Sequence, residues 1–339
     1  MNGRVLIVGQ GLAGTALGLE LEAAGIDCAI VSDGHATAAS RVAAGLINPI
    51  TGQRFARTWR VEELRPLAQA AYRRWETVLG VRLWHDLRLE RRFRDATERA
   101  RAARRFAAGE LAPFARALTD EALVLDGAAR VDLPALLGAA AQRWRSSGRL
   151  RETRAGAEEF VWPDDDGAVR WRGEKFAAVV CCTGHGALAR AWFAGLPFAA
   201  IKGQILTVRA AGLAADTVRH DGMWLIGERE SQGRVGATFE RDREDLAATP
   251  GAREQLIAAA RRLAGGEIEV AEQAAGVRLA LADRLPAIGW HPRRSGLGFF
   301  GALGSKGSLW APWLAQRWCA VLAHGAAVPP EVALTRFAL

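Results

Sequence analysis

Gly9-Gln10-Gly11-Leu12-Ala13-Gly14 lies near the start of the chain and keeps the GxGxxG spacing. Each glycine meets a separate physical need. Gly9 permits a tight turn, Gly11 lets backbone approach a pyrophosphate, and Gly14 lets a helix pack close to a strand. The free N–H groups of the first helical turn, around Leu12 and Ala13, and the positive end of that helix then hold the diphosphate. A second glycine-rich turn, Gly301-Ala302-Leu303-Gly304-Ser305-Lys306-Gly307-Ser308, stands near the far end of the chain. It opens a helix from about Leu309 to Ala323, whose N-terminus suits an electron-rich ring atom. The chemistry these stretches serve is the binding of a dinucleotide.

The elements around the first turn match that role. Arg4-Val5-Leu6-Ile7-Val8 is a short apolar, β-branched run, the pattern of a buried strand. Thr15 to Ala24 reads as a helix with Leu17, Leu19 and Leu21 among small residues, and Gly25 closes it. Cys28-Ala29-Ile30-Val31 is a second buried strand. A ribose-binding acid usually ends this strand. Ser32 holds that place here, and Asp33 follows one residue later. Asp33 is expected to reach the 2′-hydroxyl, with a plain turn acid in Ser32-Asp33-Gly34 as the alternative. After Ser40 and Arg41, the run Val42 to Pro49 is small and oddly apolar for a loop. Its Ala44, Gly45 and Leu46 let backbone lie against a flat, buried ring such as a flavin. A tightly packed crossover is the alternative.

Further on, Val61 to Leu79 reads as a helix with Leu64, Leu67, Ala71 and Trp75 on one face. Thr97 to Ala108 is a second helix, and its Arg99, Arg101, Arg104 and Arg105 read as a solvated face. Trp84 to Phe93 is either a strand pair or irregular. Ala122 to Leu125 reads as a strand, and Asp132 caps a helix running through Trp144. Asp164-Asp165-Asp166-Gly167 is read as a hairpin tip rather than a metal site. Phe176 to Cys182 is a third buried strand, ending in Thr183-Gly184-His185-Gly186, a turn that faces the region of the first one. Strands at 201–208, 223–226 and 234–239, then a helix over 250–263, give the remainder an antiparallel character. The nucleotide-binding domain is therefore expected to be discontinuous, over 1–80, 150–190 and 275–339. Residues 81–149 and 191–274 then form a substrate or cap domain.

Length and composition bound the rest. A chain of 339 residues suits about two lobes, and half of its residues are hydrophobic. No apolar run long enough to span a membrane occurs, and Val5 to Val8 is a strand rather than a signal peptide. Cys28, Cys181, Cys182 and Cys319 show no metal-ligand spacing, so buried thiols and a cytoplasmic location are expected. The net charge is +8, and of 45 basic residues only Lys175, Lys202 and Lys306 are lysine. A basic surface steers anions or nucleic acid, but codon bias with solvated helices accounts for such an arginine excess equally well.

Taken together, these segments resemble the D-amino-acid oxidase and glycine oxidase superfamily of FAD-dependent amine oxidoreductases, over nearly the full length. Gly9 to Gly14 matches its nucleotide fingerprint, and Ala39-Ser40 through Ala44-Gly45 its second flavin segment. Cys182-Thr183-Gly184, Lys202-Gly203-Gln204 and Gly236-Ala237-Thr238 follow in family order. Gly276-Val277-Arg278 with Asp283, Pro286 and Gly289 completes the series. The resemblance implies an α/β (overall α+β) protein: a Rossmann-like FAD-binding domain of the glutathione-reductase type with an antiparallel-sheet substrate domain. Gly304-Ser305-Lys306-Gly307 ahead of Ala311-Pro312 is also similar to the FAD domain of the bacterial bifunctional enzyme that trims wobble uridine in tRNA. A carboxymethylamino group on tRNA is thus the alternative substrate to a small amine or amino acid. Two departures stand out. The histidine common before this turn is Leu303, and Ser40-Arg41 offers no side chain for a covalent tether, so noncovalent FAD is expected.

The implied chemistry is hydride transfer from an amine-bearing carbon to flavin N5, the imine then hydrolysing. The cofactor carries that chemistry, which suits a chain whose six histidines show no evident His–Asp couple. Arg278 is implied to pair with a substrate carboxylate through its guanidinium fork. Lys306 is implied to sit by the N1–C2=O edge of the reduced ring, and Asn48 near the flavin edge. Arg41 is a candidate for the diphosphate. Ser40, Ala44, Gly45, Leu46, Thr183, Gly184, Gly304, Ser305, Gly307 and Ser308 complete the implied cofactor contacts. The oligomeric state has no signature in the sequence. Protein purified from cells is expected to be yellow; a colourless preparation that refuses FAD would overturn the reading.

Overall fold

The computed structural model describes residues 3–35, 37–163, 168–229 and 231–337. Its first sheet has six strands in the order Ala287–Trp290, Leu297–Gly301, Ala178–Cys181, Val5–Val8, Cys28–Ser32 and Leu150–Glu152. All pair in parallel except Ala287–Trp290, which runs antiparallel to its neighbour. The Val5–Val8 strand is buried at every position, as a strand covered on both faces must be. Val5 and Ile7 pack under the helices Leu12–Ala23, Leu133–Ser146 and Gly307–His324. Leu6 and Val8 face the other way, onto Phe160, Val169, Trp171 and Phe176 of a three-stranded meander. The 164–167 tip expected within that meander lies outside the described residues, and its flanks Phe160–Val161 and Val169–Trp171 pair antiparallel. The parallel register brings the carboxyl ends of four strands to one edge. Gly9, Ser32, Cys182 and Ala302 all leave the sheet there, at the edge where such folds bind ligands.

The second sheet has ten strands. Its spine is the long pairing of Phe198–Arg209 with Glu269–Leu281. Trp84–Arg92 is one continuous strand, paired antiparallel to Ala122–Val131 and parallel to Thr217–His220. Its Leu87, Leu89 and Arg91 are buried while Asp86 and Arg88 are exposed, so its alternation is that of a half-covered strand. Helix Pro250–Ala264 closes the outer face over Leu206, Val208, Leu225 and Val235.

Three elements sit across the domain division drawn from sequence. Helix Leu133–Ser146 packs on Leu12–Ala23 and on Leu150–Glu152. Leu46–Ile47 pairs with Ala129–Arg130 of the antiparallel sheet, and residues 275–281 pair with Phe198–Gln204 of the same sheet. The two sheets are thus stitched together at the loop beginning with Ala44. No helix among the described residues is long and apolar enough to cross a membrane.

Gly14 carries the tightest approach in the nucleotide half. An added Cβ there would overlap the carbonyl oxygen of Gly9. Gly14→Ala is expected to cost about 1–3 kcal/mol in chemical denaturation and to lose FAD on gel filtration. Gly25 has a φ of +70° with nothing within 4 Å of an added Cβ. Gly25→Ala should lose a comparable amount through backbone strain, about 1–2 kcal/mol, yet keep its flavin.

Candidate active site

The cradle begins at Gly9, whose φ is +102° and whose N–H donates to the Val31 carbonyl at 2.8 Å. A Cβ on Gly9 would stand 2.7 Å from the Cys182 carbonyl oxygen, so the first and third strands can meet here only with glycine. Gly11 is the N-cap residue of helix Leu12–Ala23 and supplies no side-chain cap. The hydroxyl of Ser40 accepts from the Leu12 N–H at 3.2 Å and lies 3.8 Å from where a Cβ on Gly11 would stand. Ala13 is buried in that first turn. Helix Gly307–His324 likewise starts without a side-chain cap, and neither helix has an acid in its first turn. A Cβ on Gly307 would lie 3.2 Å from Leu12 Cδ2, so the two helix starts converge. Their uncompensated positive ends face one region, a fit for an elongated, anionic dinucleotide.

The other sequence-derived positions divide by environment. Ser32 is buried and turns its hydroxyl onto the Gly34 carbonyl at 3.3 Å. Asp33 is exposed, with no side-chain partner among the described residues, and so offers the available carboxylate. Arg41 is exposed at the end of the short helix Ala39–Val42. Gly45 has a φ of +69°, and an added Cβ would overlap the Val131 carbonyl. Its own carbonyl accepts from Val131 N–H at 3.0 Å, while Ala44 is buried and Leu46 pairs with Arg130. Thr183 accepts the Gly186 N–H on its carbonyl, and Gly184 has a φ of +57°. In the last turn, Gly304 N–H donates to Leu279 at 3.0 Å, which docks this loop beside Arg278. Ser305 is exposed, and Ser308 is buried with its carbonyl accepting from Tyr72 Oη at 3.0 Å.

Two cations in this region have no acid partner among the described residues. The Arg278 guanidinium lies across Gly203, where any side chain would collide with it. It has no hydrogen-bond or ion-pair partner among the described residues, and burial alone pulls its pKa below the ordinary arginine value. Lys306 Nζ donates to Thr58 Oγ1 at 3.3 Å, and burial lowers its pKa to about 8. Thr58 in turn donates to the Asn48 carbonyl at 2.8 Å. Asn48, expected near the flavin edge, has its side-chain oxygen engaged in a local turn. It is buried, and its Oδ1 accepts from Ile50 N–H at 3.1 Å, shaping the neck of the Ile50–Arg57 hairpin. It reaches Lys306 only through Thr58.

Several supports were not legible from sequence. Arg234 donates to the Ala43 carbonyl at 3.2 Å and shares Glu228 with Arg130, tethering the loop before Ala44 to the antiparallel sheet. On the sheet's other face, buried Lys202 pairs with Asp245 at 2.6 Å. The arginine-rich helix Ala96–Ala107 is not simply a solvated face. Arg101 donates to the Gln53 carbonyl at 2.8 Å and Arg105 to the Phe55 carbonyl at 3.0 Å, gripping the hairpin tip. No cluster of metal-ligating side chains occurs among the described residues.

Residues 4–320 match the model of the FAD dependent oxidoreductase family. The chain belongs to that family. FAD is therefore its cofactor, and the protein is an FAD-dependent oxidoreductase. Solved structures of similar fold include a glycine oxidase from Geobacillus kaustophilus, 23% identical with a TM-score of 0.76, covering 96% of each chain. An iminodiacetate oxidase from a Chelativorans species is 22% identical with a TM-score of 0.76, covering 97% of this chain and 98% of the other. An L-proline dehydrogenase from P. horikoshii is 15% identical with a TM-score of 0.75, covering 97% and 95%.

The environment of Lys306 sets a pH dependence. Below about pH 8 the amine is charged and attracts an anion; above it the charge is lost. Affinity of the FAD-loaded protein for small carboxylates is expected to fall as pH rises through that value, read from flavin absorbance. Lys306→Met should remove the break. A flat wild-type profile would place Lys306 out of reach of the ligand.

Proposed function

We propose that this enzyme oxidises a C–N bond next to a carboxylate in a small amine or amino acid, with noncovalent FAD. The carrying observation is Arg278: a desolvated guanidinium, on the edge where the nucleotide turns converge, that no acid among the described residues neutralises. Desolvating such a charge is costly unless a ligand compensates it, and a carboxylate matches its fork with two parallel hydrogen bonds. The names of two fold neighbours, a glycine oxidase and an iminodiacetate oxidase, agree with such a ligand.

The residues divide the labour. Gly9 through Gly14, with Ser40 and Arg41, would hold the diphosphate, and Asp33 the ribose. Thr183-Gly184, Ala44 to Leu46 and Gly304 to Ser308 would bracket the ring. When bound, FAD supplies the acceptor for the hydride that leaves the amine-bearing carbon. Arg278 fixes the carboxylate and so orients that carbon. The substrate amine enters neutral, which leaves the chain no proton to remove before transfer. Lys306 and the positive end of helix Gly307–His324 would stand beside the ring, where positive charge favours an electron-rich edge. The resulting imine is hydrolysed by water. The names of the fold neighbours lend the wobble-uridine alternative no support.

Arg278→Ala is expected to keep FAD but to weaken binding of carboxylate ligands by about 1.5–3 kcal/mol. Anaerobic titration with glycine, sarcosine, D-proline and D-alanine, followed by flavin bleaching, measures this and reports which amine is oxidised. Unchanged affinity in the variant would remove Arg278 from the site.

A further inference from the structure

We propose that His35 is a positioning residue for the adenosine half of FAD: through Gln10 it pins the segment that carries Asp33 to the glycine-rich turn. The inference rests on the proposed function, in which Gly9 through Gly14 hold the diphosphate and Asp33 the ribose. It adds the contact that keeps those two parts in register.

The hydrogen bonds fix which group donates. Gln10 stands between the first two glycines of the turn and is buried. Its Nε2 donates to the Leu137 carbonyl of helix Leu133–Ser146 at 3.1 Å. A peptide carbonyl only accepts, so the orientation of the amide is set and Oε1 is left for His35. His35 Nε2 lies 2.8 Å from that oxygen. An amide oxygen also only accepts, so the imidazole carries a proton on Nε2. Three segments are joined in this way: a helix crossing the domain division, the glycine turn, and the chain leaving strand Cys28–Ser32.

That chain would otherwise be loosely held. Beyond Ser32 it turns at Gly34, whose φ is +90° and where an added Cβ would meet nothing within 4 Å. The Ala38 N–H donates to the His35 carbonyl at 3.1 Å, and the Arg41 N–H to the Ala38 carbonyl at 2.9 Å, leading into helix Ala39–Val42. Ser40 then accepts from the Leu12 N–H at 3.2 Å. The stretch from Asp33 to Arg41 therefore meets the glycine-rich turn through His35 near one end and Ser40 near the other. Ser40 secures the diphosphate side. His35, two residues from Asp33, secures the ribose side. Without it, Ser32 Oγ on the Gly34 carbonyl at 3.3 Å is the side-chain contact left, among the described residues, to steady the turn that bears the exposed Asp33. Fixing the acid before the nucleotide arrives removes the entropy cost of ordering it on binding.

ADP carries the adenosine half of FAD without the ring, so it reports on that half alone. FAD-loaded protein is diluted, and separately titrated with ADP, and the release of FAD is followed by the rise of free-flavin fluorescence. His35→Ala is expected to weaken FAD and ADP by the same factor, roughly three- to tenfold, the size of one neutral hydrogen bond. The visible spectrum of the bound flavin should not change. His35→Gln, whose amide nitrogen takes the place of Nε2, should stay within about twofold of wild type. Gln10→Met removes the acceptor at similar volume, and adding His35→Ala to it should cost nothing further. A histidine with a merely structural role would weaken FAD equally in both backgrounds. The proposal is overturned if His35→Ala leaves both ligands unchanged, weakens FAD but not ADP, or keeps its full effect beside Gln10→Met. Failure of ADP to displace FAD from wild type overturns it too. Asp33→Asn in parallel should weaken ADP. If it does not, the ribose role of Asp33 fails, while the cycle between His35 and Gln10 still judges the pin.

Discussion

Leu12 and Gly307 stand so close at the mouth of the parallel sheet that a Cβ on Gly307 would lie 3.2 Å from Leu12 Cδ2, and the site is organised by that approach. Each residue begins a helix whose first N–H groups lack internal partners. Bringing two such ends together concentrates partial positive charge that no first-turn acid relieves. The approach is possible because the residues between strand and helix are bare backbone. Gly9 lies against Cys182 and Gly14 against Gly9, leaving no volume for side chains. The same closeness that packs the core therefore exposes the donors that an anionic cofactor needs.

The antiparallel sheet answers with a second concentration of charge, built differently. Arg130, Arg234 and Arg91 are buried but paired, to Glu228 and Glu98. These pairs lock the sheet and the loop at Ala43 in place, and removing either partner would strand a buried charge. Arg278 and Lys306 have no acid partner among the described residues. The protein thus separates arginines that hold structure from cations available to a ligand, although all sit in one region. A sequence dense in arginine conceals this division, because it depends on which carboxylates fold next to which guanidinium.

What could be read in advance tracks the range of the interactions. The βαβ start was legible because its strands, turn and helix are neighbours in sequence, and the glycines report backbone geometry directly. Arg278 was legible only with its surrounding family pattern. Trp84–Arg92 could not be assigned, because its identity as one strand depends on Thr217–His220, which pairs with it from over a hundred residues away. The turn made by Asn48 was hidden for a related reason. Its asparagine type suits both a ligand contact and a local turn, and only the fold shows its oxygen on Ile50.

The short relay from Lys306 through Thr58 to Asn48 has a consequence for proton traffic. The single hydrogen of the Thr58 hydroxyl is committed to the Asn48 carbonyl, and a peptide carbonyl can accept that hydrogen without handing one on. The chain of contacts is therefore a dead end, able to steady the ammonium but unable to conduct a proton between Lys306 and bulk water. Any change in the charge of Lys306 therefore has to be exchanged by a route that does not pass through Thr58.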